Sequence, residues 1–208
     1  FPNGIALSPD GKTLYAVHVL GQFISKVDIT SGLVRATVDL PAEPFTNLVS
    51  KDGKTLYVSL WGGAKILMLD PATLAIRGEI AVGESVELGV SLLYSDGSTW
   101  YLFCSGSRNT FIGSSPRSMR FRLGGAKILM FDPATLAPKG EIVVGEHPNA
   151  MTQSQDGAWL YVSCANTNMI WVIDAKANKA VAQVATALFP DAPPGSTPNS
   201  VSLSPDDK

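Results

Sequence analysis

Residues 62–84 read GGAKILMLDPATLAIRGEIAVGE, and residues 124–146 read GGAKILMFDPATLAPKGEIVVGE. Only Leu69/Phe131, Ile76/Pro138, Arg77/Lys139 and Ala81/Val143 differ between the two copies. Near-identity at a fixed offset is the mark of a repeat architecture. The same unit is legible, more diverged, on both sides. At the start, Pro2-Asn3 leads into a short apolar run and then the turn Pro9-Asp10-Gly11-Lys12. There Pro presets φ and Gly accepts a positive φ. Thr13 to His18 has the β-branched and aromatic content of a strand. Phe23 to Ile29 alternates, with Phe23, Ser25, Val27 and Ile29 on one face and Ile24, Lys26 and Asp28 on the other. A turn at Thr30-Ser31-Gly32 precedes a fourth strand, Leu33 to Leu40.

Asp-Gly turns return at Asp52-Gly53, Asp96-Gly97 and Asp156-Gly157, with Asp206-Asp207 a degenerate last copy. The third strand of each unit ends at Asp28, Asp70, Asp132 and Asp174. The two aspartates of a unit are 18 residues apart in units one, two and four and 36 apart in unit three. No stretch carries a sustained helical period. Pro71-Ala72-Thr73-Leu74 reads as a tight turn between strands.

A unit of about 40–45 residues with four short antiparallel strands is a β-propeller blade, whose sheet faces are buried only on neighbouring blades. The fold class expected is all-β: four complete units (about 1–43, 44–84, 85–146 with an insertion at 105–122, and 147–195) and the first strand of a fifth at 196–208. SPDGKTLYAVH, KDGKTLYVSL and QDGAWLYVSCANTNMIWVID resemble the YVTN-type β-propeller repeat, best at Tyr161-Val162-Ser163-Cys164-Ala165-Asn166. Members of that family usually close with seven blades and include surface-layer, binding and accessory proteins. The resemblance implies an exported bacterial setting, periplasmic or secreted. Pro198 to Ser204 repeats Pro2 to Ser8, so it begins a fifth blade and does not complete the first. Open, strand-bearing flanks are templates for association. The expectation is a piece of a longer propeller or a chain completed by a partner copy, ahead of a closed four-bladed ring.

The chain is 208 residues long, 45% hydrophobic and 16% charged, with a net charge of −2. It is apolar enough to bury a core. It lacks the basic excess of a nucleic-acid binder. No apolar run approaches the ~20 residues of a membrane span. It opens at Phe1-Pro2-Asn3, already inside a repeat, and so reads as a mature product or a piece.

Two stretches break the repeat. Ser105 to Arg122 (SGSRNTFIGSSPRSMRFR) holds Arg108, Arg117, Arg120 and Arg122 and no acid. It reads as a solvated insertion, with binding of an anionic ligand the functional alternative. Leu188 to Pro198 (LFPDAPPGSTP) is a stiff, Pro-rich rim loop. It resembles the loop in propellers fused to phosphoesterases of the alkaline-phosphatase type, which implies an accessory role.

Loops entering the inner strands converge on the central channel. There stand Asn3, Asn47, Glu87, His147 with Asn149, and Asn199. Recurrent Asn argues first for bonding of nearby backbone; a polar channel mouth is the alternative. Glu87 with His147 would permit weak metal binding or general-base work. Propellers of similar build include lactonases with a channel-bound divalent metal, which is the enzymatic alternative. The turn aspartates Asp10, Asp52, Asp96 and Asp156 lack the ligand density of a calcium loop and read as turn caps. Cys104 and Cys164, at matching places in adjacent units, read as buried free thiols. Trp61, Trp100, Trp159 and Trp171 read as packing between blades. No nucleophile elbow, P-loop or dinucleotide fingerprint occurs, so neither a cofactor nor a metal is expected. The reading is a non-catalytic binding or scaffold module that presents loops around a channel.

Overall fold

Four short strands per unit need a tight turn wherever the chain reverses. The repeated Ser-x-Asp-Gly turns supply one at the first reversal. In a computed structural model that describes residues 2–50, 52–60, 63, 65–81, 88–89, 92–94, 100–108, 122–123, 126–132, 135, 137–146, 148–193 and 198–206, each described copy is built alike. The hydroxyls of Ser8, Ser50 and Ser154 donate to Asp10, Asp52 and Asp156 at 2.6, 2.6 and 2.5 Å. The same aspartates accept from the main-chain N–H of Lys12, Lys54 and Ala158. The glycines that close these turns, Gly11, Gly53 and Gly157, have φ near +70° (68°, 70° and 72°), where a Cβ is disfavoured. Capping is thus the job of these aspartates; Asp96 lies outside the described residues.

At the third reversal Asp28, Asp70, Asp132 and Asp174 accept from main-chain N–H groups two or three residues on. Pro71–Thr73 is a turn, as its sequence indicates, and Leu74 after it is left-handed (φ 63°) and fully buried.

The result is four antiparallel sheets in chain order. Blade 1 is β1 (Pro2–Leu7), β2 (Thr13–His18), β3 (Phe23–Asp28) and β4 (Val34–Asp39). Blade 2 is β5 (Pro44–Val49), β6 (Leu56–Leu60), β7 (Lys65–Leu69) and β8 (Ile76–Ala81). Blade 3 has six strands: β9 (Leu88–Gly89), β10 (Leu92–Tyr94), β11 (Trp100–Arg108), β12 (Arg122–Leu123), β13 (Ala126–Phe131) and β14 (Pro138–Val144). Blade 4 is β15 (Pro148–Gln153), β16 (Trp159–Cys164), β17 (Met169–Asp174) and β18 (Lys179–Ala185). The inner strands follow one another: β1 packs on β5, β5 on β10 and β10 on β15.

Unit three departs from its sequence reading in one respect. The stretch from Ser105 is not loop from its first residue. β11 runs on to Arg108, and β12 pairs back onto it, Ser107 opposite Leu123 and Arg108 opposite Arg122. The insertion is therefore rooted in a two-stranded extension of the sheet. The fifth-unit segment Pro198–Ser204, expected as a first strand, forms no strand.

The core lies between sheets. Tyr15, Val17 and Ile24 of blade 1 share one cluster with Leu56, Val58, Leu60, Leu67, Leu69 and Leu74 of blade 2. A second cluster joins Ile128, Met130, Ile142 and Val144 of blade 3 to Leu160, Val162, Cys164 and Ile173 of blade 4. Each fully buried Leu or Ile contributes about 1.5–3 kcal/mol by leaving water. Strand β6 is buried at every residue, as a sheet clasped on both faces must be. The twin hairpins repeat their surface chemistry too: Lys65 meets Glu79 at 2.9 Å and Lys127 meets Glu141 at 2.8 Å. Half-exposed pairs of this kind are worth about 0–1 kcal/mol each.

Between the twins, a cleft of about 380 Å³ opens among Ala81, Glu79, Leu129, Phe131 and Pro138. Three of the positions at which the copies differ (Ala81, Phe131, Pro138) thus line the gap that separates them. No helix among the described residues is long and apolar enough to cross a membrane.

Candidate functional site

Strand direction sorts the loops. All capped turns, which join first to second and third to fourth strands, lie at one end of the blades. The connections from second to third strand, and from one blade to the next, lie at the other. That second end collects what does not repeat: the root of the insertion at Arg108 and Arg122, the 3-10 turn Ala165–Thr167, and the Pro-rich loop after β18. A rigid scaffold with irregular loops at one end is the usual seat of binding.

At this end a cleft of about 630 Å³ lies over blade 4. One wall is Asn166, Thr167, Asn168 and Met169; the facing wall includes Leu188 and Phe189. The walls are tied at their base. Asn168, left-handed at φ 52°, donates from Nδ2 to the Pro193 carbonyl at 3.1 Å, and its own carbonyl accepts from Thr186 N–H at 2.8 Å. Leu188 is 88% exposed and Phe189 55% exposed, so two large apolar side chains stand in water at the lip. None of the residues that line the cleft carries a charge. Close by, the Thr186 hydroxyl and the Trp171 indole N–H are buried without a hydrogen-bond partner.

The asparagines fall into two kinds. Inner strands carry a bulge near their start, between Pro2 and Ile5, Pro44 and Asn47, and Pro148 and Ala150. Asn3 sits in its bulge and donates to the Phe45 carbonyl of the next inner strand at 2.7 Å. Asn149 occupies the matching bulge position of blade 4. Asn47 is two residues further along its strand, where blade 1 has Ile5. It is only 6% exposed, wedged between blades, with Nδ2 donating to the Tyr15 carbonyl at 3.0 Å. Its Oδ1 has no partner in the chain. The side chains of Asn3 and Asn47 therefore each bond the backbone of a neighbouring blade. Asn199 lies in the segment after blade 4, outside any strand. Glu87, His147, Arg117 and Arg120 fall outside the described residues, and Arg108 and Arg122 are placed by backbone register only.

His18, the other histidine, stacks on Phe23 with ring centroids 4.0 Å apart. Its Nε2 is 2.9 Å from the Ser25 hydroxyl. Burial holds its pKa below the ordinary 6.5. Cys164 is a buried free thiol whose pKa is pushed up to about 12 by burial, which leaves it unreactive. Trp171 packs half-buried against the cluster of blades 3 and 4, while Trp159 is partly exposed at the rim. Among the described residues no three His, Cys, Asp or Glu side chains gather as a metal site would need.

The sequence singled out the Pro-rich loop but not the turn Asn166–Asn168. That the two line one cleft is seen only in space; the Cys-Ala-Asn-Thr-Asn run was the available signal.

Architecture of this kind defines a β-propeller, and solved structures agree. The chain is similar to Kuenenia stuttgartiensis hydrazine synthase, with a TM-score of 0.70 at 24% identity over 88% of this chain and 48% of that one. It is also similar to dihydro-heme d1 dehydrogenase NirN in complex with DHE, with a TM-score of 0.65 at 18% identity over 88% of this chain and 37% of that one. Both are β-propeller proteins. The chain thus spans about half the length of the first and less of the second. No family model matches it, and no curated protein does.

Proposed function

We propose that this propeller is a binding module whose blades hold irregular loops around one end, and that the cleft over blade 4 takes a neutral, partly apolar group. The observation that carries this reading is the lip of the cleft: Leu188 and Phe189 stand exposed across from the uncharged turn Asn166–Asn168. Exposing two large apolar side chains side by side costs solubility and is kept where something covers them. An uncharged lining disfavours an ion and suits an aromatic or aliphatic group with amide-like edges, which Asn166 and Thr167 can meet. The YVTN-type resemblance supports a module of this sort, and the exported bacterial setting it implies is part of the proposal.

N-acetyl-tryptophanamide, neutral and aromatic with two amide edges, is the probe. Saturation-transfer NMR on the whole chain is expected to show contact with the indole ring. Phe189→Ser and Leu188→Ser should abolish the signal, while Val34→Ser, on blade 1, leaves it unchanged. Equal signals from the wild type and both lip variants would remove the reading.

A further inference from the structure

One device occurs twice at the irregular end of the blades. In blade 1 the residue just before β3 is Gln22, left-handed at φ 52°. Its carbonyl accepts the N–H of Leu40, the first residue after β4, at 2.7 Å. Its side-chain amide donates to Glu43, in the loop that leads to β5, at 2.9 Å. In blade 4 the residue just before β17 is Asn168, also left-handed at φ 52°. Its carbonyl accepts the N–H of Thr186, the first residue after β18, at 2.8 Å. Its side-chain amide donates to the Pro193 carbonyl, in the loop beyond β18, at 3.1 Å. Each clasp thus holds the loop after its outer strand at two points, one by main chain and one by side chain.

The loops held are different. In blade 1 the two points, Leu40 and Glu43, enclose only Pro41 and Ala42. In blade 4 the points are Thr186 and Pro193, and the stretch Ala187–Ala192 between them forms the wall of the cleft that carries Leu188 and Phe189. Pro190 fixes a φ within that stretch, and the Ala192 N–H donates to the Phe189 carbonyl at 3.0 Å. The wall is therefore a stiffened piece hung from two points, both on Asn168. Gln22 is exposed, whereas Asn168 is 6% exposed and lines the cleft.

We propose that Asn168 is the positioning residue of the cleft: its amide sets the distance between the turn Asn166–Asn168 and the wall opposite, and so sets the affinity for the neutral, partly apolar group. The proposal rests on the reading of the cleft as a binding site. The chemistry is that of a donor. An ionised carboxylate of the same shape cannot donate to the Pro193 carbonyl and lets the wall swing on Thr186. Burial among uncharged groups raises the pKa of such a carboxyl, and once protonated it donates an O–H to the same oxygen.

The test follows two readouts on the full chain, at pH 7.5 and at pH 4.5. One is the protection of the Ala192 amide against hydrogen exchange, corrected for the intrinsic rate at each pH. The other is the saturation-transfer signal of N-acetyl-tryptophanamide, which is neutral at both. Both readouts are expected to be alike at the two pH values in the wild type. Asn168→Asp at pH 7.5 should lower Ala192 protection about three- to tenfold, the loss of one hydrogen bond, and weaken the probe signal. The Thr186 amide, held by a main-chain carbonyl, should keep its protection. At pH 4.5 the variant should regain both readouts. Asn168→Gly, which keeps the left-handed backbone, should release the wall at both pH values, and Gln22→Gly, at the blade 1 clasp, should change neither readout. An Asn168→Asp variant equal to the wild type at pH 7.5 overturns the proposal. So does a loss that acid does not restore, since that marks a general structural role. A wild type without any probe signal removes the reading of the cleft as a site and the positioning role with it; Ala192 protection then distinguishes that result from a failure of the clasp itself.

Discussion

Asn47 shows what a single polar side chain does between two sheets. It is buried, it ties β5 to the Tyr15 carbonyl, and its Oδ1 is left without a partner in the chain. Asn47→Ala removes a bond between blades and is expected to lower stability by about 1–2 kcal/mol, read as a drop in the urea midpoint at constant slope. Asn3→Ala breaks an exposed bond to Phe45 and should move that midpoint far less. Protonation acts at the same scale. Ser hydroxyls first, and main-chain N–H groups second, hold Asp10, Asp52 and Asp156 below their ordinary 3.8. Their folded pKa values are depressed, so the unfolded chain takes up protons first as pH falls. The stability they add is complete above 3.8 and is lost as pH drops through the depressed values. His18, also depressed, loses its contribution as pH falls below 6.5. A urea midpoint followed from pH 8 to pH 3 should fall in two stages, and His18→Asn should remove the earlier one.

Strands and turns were the most legible level of this molecule. Ser-x-Asp-Gly spells out its own hydrogen bonds, and alternation along Phe23–Ile29 separates the two faces of its strand, although the inaccessible residue is Ile24, on the face with Lys26 and Asp28. The propeller follows, because such sheets can bury their faces only on one another. Chemistry between elements was far less legible. Asn3 and Asn47 read as equivalent, yet Asn3 stands in its strand's bulge and Asn47 two positions further along, at the place of Ile5, between sheets. The cleft over blade 4 depends on two loops meeting in space, which no spacing within either loop encodes. Close approach of elements is equally silent until coordinates exist. A Cβ on Gly4 would stand 2.7 Å from the Thr46 Cα. Gly4→Ala must push β1 away from β5, since backbone cannot swing aside as a side chain can. The expected cost is about 1–3 kcal/mol, with faster amide exchange confined to β1 and β5 as the check.

Among the described residues of the whole molecule two core clusters stand out. One cluster fuses blades 1 and 2, another fuses blades 3 and 4, and the cleft at Phe131 and Pro138 lies between them. Stacked repeats hold together by nearest-neighbour contacts, so the weakest junction sets where they part. Hydrogen exchange in mild urea should reveal two opening units, with residues 15–74 and 128–173 released at different free energies. Leu67→Ala, a cavity costing about 2–5 kcal/mol, should lower protection in the first unit and spare the second. Release of all strands at one free energy would show that the junction is as strong as the blades it joins. The twin hairpins carry one more consequence. A chain with two nearly interchangeable parts can be assembled wrongly, β7 zipping to β14 while β8 is left over. Only a few divergent residues tell the parts apart, and Pro138, with no amide hydrogen to give where Ile76 has one, is the strongest of them. Synthesis from the amino terminus avoids the confusion by closing the earlier hairpin before its double has been made. Refolding from denaturant, with both copies present at once, has no such protection.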